Sequence, residues 1–248
     1  LKTWLLKVCQ LKTDSMTTGF IADLHLSPGR PDILAAFSDF CQQHQHLDAL
    51  YILGDLFDAW LGDDDTSDFA AKVKEQLTRL TDNGVRLYFM AGNRDFMVGE
   101  RFASDVGLTI LPDETVVDLY GERVLLMHGD TLCTLDTGYL RYRSIIQSSL
   151  VKSVMRNLPL SWRMRIANRL RKKSSSQKRE LTPAQLYKMD AQHAEVLRVM
   201  EQHDVNQLIH GHTHRPAVHC FTLNDGTSAK RIVLGDWYQQ ASAYLVSK

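Results

Sequence analysis

The chain has 248 residues, 44% of them apolar, and its 29 Lys+Arg balance 29 Asp+Glu. That length buries a sizeable core, and the ordinary charged fraction excludes disordered, collagen-like and coiled-coil classes. No apolar run reaches the ~18–20 residues of a membrane span, and Cys9, Cys41, Cys133 and Cys220 form no CxxC pair, against a disulfide scaffold or zinc ribbon and for a reducing cytoplasm.

Residues 1–15 read as an extension outside the fold, because Met16 stands directly before the strand-like run Gly19-Phe20-Ile21-Ala22-Asp23. From Met16 short apolar runs alternate with amphipathic segments. The patterns predict strands at Phe20–Ala22, Ala49–Leu53, Arg86–Met90, Val116–Leu119, Arg123–Met127, Gln207–Ile209, Ala217–Leu223 and Ile232–Leu234. They predict helices at Asp32–His44, Phe69–Asn83 and Ala184–His203, the last from Leu186, Met189, His193, Val196 and Met200 at helical spacing. Early βαβ alternation followed by consecutive strands suggests a layered sheet sandwich with helices outside.

Residues 136–190 read as an insertion. Ile146, Leu150, Val154 and Leu158 recur at i+4 until Pro159 interrupts, and Ser161 is placed to cap a second helix faced by Trp162, Ile166 and Leu170. Between Arg141 and Glu180 stand twelve Lys/Arg and one acid, whereas Asp55, Asp58, Asp63, Asp64, Asp65 and Asp68 cluster upstream. This asymmetry suggests an acidic site for cations and a basic segment that meets an anion.

The residues that carry chemistry stand just past the strands. Phe20-Ile21-Ala22 leads into Asp23-Leu24-His25, Leu50–Leu53 into Gly54-Asp55, and Leu87–Met90 into Gly92-Asn93-Arg94-Asp95. Val124–Met127 leads into His128-Gly129-Asp130, and Gln207–Ile209 into His210-Gly211-His212-Thr213-His214. Polar groups at the carboxyl ends of sheet strands converge on one crevice. Oxygen and nitrogen donors without thiolates suit Mn²⁺, Fe²⁺ or Zn²⁺, and seven candidates suit two metals sharing a carboxylate. His44, His46, His193 and His203, outside this pattern, read as structural, while His210 reads either as orienting a neighbouring ligand or as structural.

Taken in order, Asp23-x-His25, Gly54-Asp55, Gly92-Asn93-Arg94-Asp95, His128 and Gly211-His212-Thr213-His214 resemble the calcineurin-like metallophosphoesterase superfamily over nearly the whole chain from Met16. The resemblance implies an α/β fold, a four-layer αββα sandwich of two mixed β-sheets, as a single domain over residues 16–248 with a helical lid inserted at 136–190. It implies one metal on Asp23, His25, Asp55 and His214 and another on Asp55, Asn93, His128 and His212, with a metal-activated water as nucleophile. Asp236, in Gly235-Asp236-Trp237, imitates a ligand motif and is expected to be structural. Many members carry a histidine after the asparagine, where this chain has Arg94. A fixed cation stabilises phosphate charge but does not protonate an alkoxide, so Arg94 favours a phosphate leaving group, as in a pyrophosphate.

The longer strings Ile21–Leu26, Tyr51–Phe57, Trp60–Asp64, Met127–Cys133 and His210–Pro216 narrow the resemblance to the branch that cleaves UDP-linked diacylated glucosamine in lipid A biosynthesis. That branch implies two Mn²⁺ per subunit, release of UMP and a diacylglucosamine 1-phosphate, and catalytic roles for Asp55, Asn93 and Arg94. Substrate contacts map onto Asn93, Arg94, Asp136, Ser174 and His212, with Arg171 and Lys178 as further cations. Around Gln177–Ala184 the chain departs from the pattern, being a few residues longer and lacking a lysine near Ala184. The expected partners are the lipid substrate and the anionic cytoplasmic face of the inner membrane, touched peripherally, with no nucleic acid and a monomeric state. A metallophosphoesterase for another nucleotide diphosphate or phosphodiester would share every ligand.

Overall fold

The computed structural model describes residues 16–177, 182–238 and 241–248, so the extension at 1–15 and Lys178 lie outside the described residues. One sheet comprises β1 (Thr17–Ile21), β2 (Ala49–Leu53), β3 (Arg86–Met90), β4 (Leu108–Leu111) and β10 (Tyr244–Ser247), in the order β10-β1-β2-β3-β4. The other comprises β5 (Glu114–Leu119), β6 (Glu122–Met127), β7 (Gln207–His210), β8 (Ala217–Thr222) and β9 (Ser228–Val233), in the order β5-β6-β7-β9-β8. Both are mixed: β10 runs antiparallel to β1 in the first, and β5 and β8 run antiparallel to β6 and β9 in the second.

Side-chain alternation along each strand separates three apolar layers. Phe20, Ala22, Leu53 and Met90 of the first sheet meet Val124, Leu126, Ile209 and Ile232 of the second. Ile21, Leu50, Ile52 and Phe89 turn the other way, onto α1 (Pro31–Gln43), α2 (Asp68–Asp82) and α3 (Glu100–Val106). Leu125, Met127 and Leu208 face α8 (His193–Gln202). The result is the αββα sandwich. Because β1, β2 and β3 run parallel, as do β6 and β7, their carboxyl ends open along one edge.

The insertion folds as α4 (Thr137–Ile146), α5 (Ser149–Asn157), α6 (Leu160–Gln177) and α7 (Pro183–Lys188). Three helix predictions need correction. The i+4 row from Ile146 to Leu158 spans two helices, because Ser148 accepts from Val151 N and restarts the chain as a new N-cap. The segment Ala184–His203 also divides, into α7 and α8. Asp190 accepts from the Ala191 N–H and Gln192 N donates to Leu132 O, so the backbone leaves the helix between them although the apolar period continues. Ser161 falls inside α6 rather than before it. Among the described residues, no helix is long and apolar enough to cross a membrane.

Candidate metal centre

All seven expected metal ligands come just after a strand of the two facing sheets. Asp23 and His25 succeed β1, Asp55 succeeds β2, Asn93 succeeds β3, His128 succeeds β6, and His212 and His214 succeed β7. Five of them (Asp23, His25, Asp55, His212 and His214) have φ between 50° and 67°, the left-handed region that side-chain-bearing residues rarely adopt. The interlocking turns hold them there: Asp23 N donates to Gly54 O, His25 N to Asp55 O, and His212 N to the Asp23 carboxylate at 2.7 Å. Gly92 permits the closest approach, since a Cβ there would collide with Asp55 Oδ1 and its backbone N.

The ligand atoms converge in two groups that share the Asp23 carboxylate. Asp23, His25 and His214 form one and Asp23, Asp55 and His128 the other, each with its ligand atoms within 4.8 Å of one another. His25 Nδ1 and His128 Nε2 each lie 3.9 Å from an oxygen of Asp55, one on either side of it. His212 Nδ1 and His128 Nε2 stand 3.1 and 3.2 Å from the Asn93 Oδ1 atom.

This donor set fits cations. His128 Nδ1–H donates to Leu53 O at 2.8 Å, so Nε2 is the ring atom aimed inward, free to ligate once its proton leaves. Asp23 Oδ1 and His25 Nδ1 are buried without a hydrogen bond. Asn93 serves the cluster in two ways. With its oxygen inward it is a ligand atom; turned over, as hydrogen bonding alone favours, its nitrogen donates to Asp55 Oδ2 and its oxygen accepts from Arg94 Nε, both at 3.2 Å.

Comparison with known proteins agrees with this geometry. The family model of calcineurin-like phosphoesterases matches residues 16–216. The chain belongs to the calcineurin-like phosphoesterase family. Among its relatives, a UDP-2,3-diacylglucosamine hydrolase of Vibrio cholerae serotype O1 is 45% identical over 94% of this chain and 96% of its own. Proteins of the same name from Photobacterium profundum and Pseudomonas aeruginosa are each 48% identical over 92% of this chain, and over 91% and 94% of their own lengths. Membership makes the protein a hydrolase with a divalent-metal cofactor.

Electrostatics of this phosphoesterase divide the histidines. Burial pushes His25 down to about 3 and His212 down to about 4, leaving both neutral at physiological pH. Burial opposes the charge of His128 as well, but Asp55, Asp130 and Asp23 outweigh it and raise the ring to about 9. Burial also opposes charge on His214, yet the Asp23 and Asp236 carboxylates beside it raise it to about 10. Asp55 is pushed up to about 8 by burial. A cation entering the cluster therefore displaces protons and relieves a buried carboxylate.

Two carboxylates outside the expected ligand set organise it. Asp95 accepts from Gly92 N and Leu56 N, both at 2.8 Å, tying the β3 loop to the β2 loop. Asp236 Oδ2 lies 3.0 Å from His214 Nδ1, while His214 Nε2 faces Asp23 Oδ1 at 3.3 Å. Asp236, expected to be structural, thus stands where it would orient the ring of an expected ligand. Its Gly-Asp motif is visible in the sequence, but nothing in sequence spacing links position 236 to 214.

His210 is fully buried, and its Nδ1–H donates to Gly211 O at 2.8 Å, within the turn that leads to His212. His44 is bonded to Phe40 O, His203 to Glu114, and His193 packs on Phe221, all away from the cluster. The acidic group Asp55–Asp68 is not one site: Asp55 enters the cluster, whereas Asp63 accepts from Gly99 N and Phe102 N and Asp64 pairs with Arg163.

Of the expected substrate contacts, Arg94 sits beside the cluster, its N–H donating to Asp55 Oδ1 at 2.8 Å. Asp136 caps α4 by accepting from Tyr139 N, and the Tyr139 ring lies 6.1 Å from that of His212. Arg171 and Ser174 fall late in α6.

Proposed function

We propose that the protein hydrolyses UDP-2,3-diacylglucosamine at its pyrophosphate, releasing UMP and 2,3-diacylglucosamine 1-phosphate, with water attacking the phosphorus nearer uridine. The observation that carries this reading is the juxtaposition of Arg94 and the two ligand groups with a helical insertion that exposes apolar side chains. Tyr142, Ile145, Leu150, Val154, Trp162 and Met164 of α4–α6 are all exposed, a surface suited to acyl chains. The names of the relatives support the same substrate.

In this reading Asp23, His25, Asp55 and His214 hold one Mn²⁺ and Asp55, Asn93, His128 and His212 the other, with Asp55 shared. When bound, such cations supply an acidified water and neutralise phosphate charge. The chain's own groups do the rest. Arg94 presents a permanent cation to the phosphate oxygens, and the leaving phosphate needs no proton donor. Helices 136–190 act as the lid, with Asp136, Arg171, Ser174 and Lys178 on the head group and the basic face of α4–α6 on anionic lipid at the cytoplasmic surface of the inner membrane, the enzyme being monomeric.

Metal-stripped protein assayed on UDP-2,3-diacylglucosamine with and without Mn²⁺ tests the proposal, with UMP and the lipid product followed together. Mn²⁺-dependent appearance of both is expected. Hydrolysis of an aryl phosphodiester without turnover of the lipid would retain the metal site and reject the substrate.

A further inference from the structure

The insertion is attached to the sandwich in an unusual way. Among the described residues of α4, α5 and α6, Arg163 alone is buried, with 2% of its surface exposed. A cation in that position needs partners, and it has them. Arg163 Nε donates to Leu158 O at 2.9 Å, closing the α5–α6 corner. Its Nη1 donates to Leu61 O at 2.5 Å and to Asp64 Oδ1 at 2.8 Å, and its Nη2 donates to Asp64 Oδ2. Gly62 makes room for the guanidinium: its φ is 146°, and a Cβ there would overlap Nη1.

The turn that receives Arg163 is part of the site's frame. Trp60 N donates to Arg94 O at 3.1 Å, so the turn abuts the loop that presents Asn93 and Arg94. It does not depend on Arg163 for its own shape. Asp63 accepts from Trp60 Nε1 at 3.0 Å and from Gly99 N and Phe102 N at 3.1 Å, anchoring the turn to the start of α3.

We propose that Arg163 is a positioning residue that seats the lid over the metal centre, and that Asp64 is its socket. An apolar face would slide among many near-equivalent seats, whereas a bidentate guanidinium–carboxylate pair with two further carbonyl acceptors has one. Near the start of the insertion α4 is held by Arg143, which pairs with Asp130 at 2.6 Å and Asp113 at 2.8 Å. With these two points fixed, the exposed apolar side chains around them keep one orientation relative to Arg94. This role rests on the reading of the insertion as the substrate lid.

The test compares wild type, Arg163→Met, Arg163→Lys and Asp64→Asn as full-length Mn²⁺-loaded proteins. Turnover of UDP-2,3-diacylglucosamine and of bis(p-nitrophenyl) phosphate is measured together with metal content and amide exchange. In Arg163→Met, kcat/KM for the lipid falls at least tenfold, mostly through KM, and exchange accelerates across residues 149–169. Metal content and small-diester turnover stay within twofold, because Asp63 keeps the turn intact. Arg163→Lys recovers part of the loss, and Asp64→Asn shows a milder form of it. Unchanged lipid kinetics in Arg163→Met, or parallel loss of both activities with metal, would overturn the proposal. Failure of wild type on the lipid would instead reject the substrate reading, visibly and before any variant is compared.

Discussion

Removing the Asp236 carboxylate by Asp236→Asn separates proton affinity from metal affinity at His214. The carboxylate lies 3.0 Å from Nδ1, and the two side chains are 29% and 30% exposed. A unit-charge pair at that distance is worth ~1.4 kcal/mol in a water-like dielectric, and partial exposure keeps the interaction near that lower bound. That corresponds to about a tenfold loss of Mn²⁺ affinity, within the roughly 10- to 100-fold range for loss of a ligand's orienting partner. The full loss emerges only at high pH. Asp236 also helps raise His214 to about 10, so in wild type a proton competes with the cation up to that pH. The variant gives up both effects, and at pH 7 they largely cancel. Isothermal titration with Mn²⁺ from pH 7 to pH 10 reads the difference. Wild-type affinity climbs throughout, whereas the variant's curve flattens earlier and ends about tenfold lower. Asp55 and His128 add slopes common to both proteins. Identical pH slopes, or equal affinities at pH 10, would refute the assignment of Asp236 as the group that orients His214.

Asp55→Ala removes the carboxylate between the two ligand groups and abolishes activity; elemental analysis finds both metals depleted. Arg94→Ala slows hydrolysis by 100-fold or more, on the order of the effect of one preorganised charge on a transferring phosphoryl group, while metal content measured in parallel is unchanged. Asp95→Asn takes the charge from a fully buried acceptor of backbone N–H groups and costs about 2 kcal/mol in urea unfolding. In chelator-treated protein, stability falls as pH rises from 7 to 8. The folded chain keeps protons on Asp55, His128 and His214, raised to about 8, 9 and 10, that the unfolded chain has begun to lose or has lost. His25, His210 and His212, lowered to about 3, 3 and 4, oppose the trend near pH 7, where about a quarter of each unfolded imidazole is still protonated, but they do not reverse it. Added Mn²⁺ reverses the trend, as thermal melts at the two pH values would record.

The ligands were legible because each sits within a few residues of a strand whose apolar run announces it, so a local pattern carried tertiary information. Ala49–Leu53 and Arg86–Met90 were readable to the residue for the same reason: both faces of these strands are buried, and the run stops where the crevice begins. β4 and β10 were not. Each has four residues and lies at a sheet edge, where half-exposed side chains blur the apolar signal. The breaks before α5 and after α7 were hidden by periodicity itself, since Leu186, Met189, His193, Val196 and Met200 keep step across a backbone that has left the helix. In the sequence Arg163 is only one of twelve basic residues in a charged stretch. Its partner Asp64 lies 99 positions away, and no property of either segment alone distinguishes a buried clamp from a solvated arginine.

The expected metal ligands come from both halves of the sandwich. Asp23, His25, Asp55 and Asn93 stand on one sheet, and His128, His212 and His214 on the other. The apolar layer between the sheets holds them along their length; at the open edge His212 N–H on Asp23 and His128 Nδ1–H on Leu53 O cross between the halves, and cations in the cluster would add an ionic tie. Mn²⁺ would act there as a rivet. Neither half alone carries a complete set for either ion, so prying the sheets apart and extracting the metal become one event. Heat and chelator would then be two forms of the same stress, and occupancy would stabilise the fold in proportion to the logarithm of free metal.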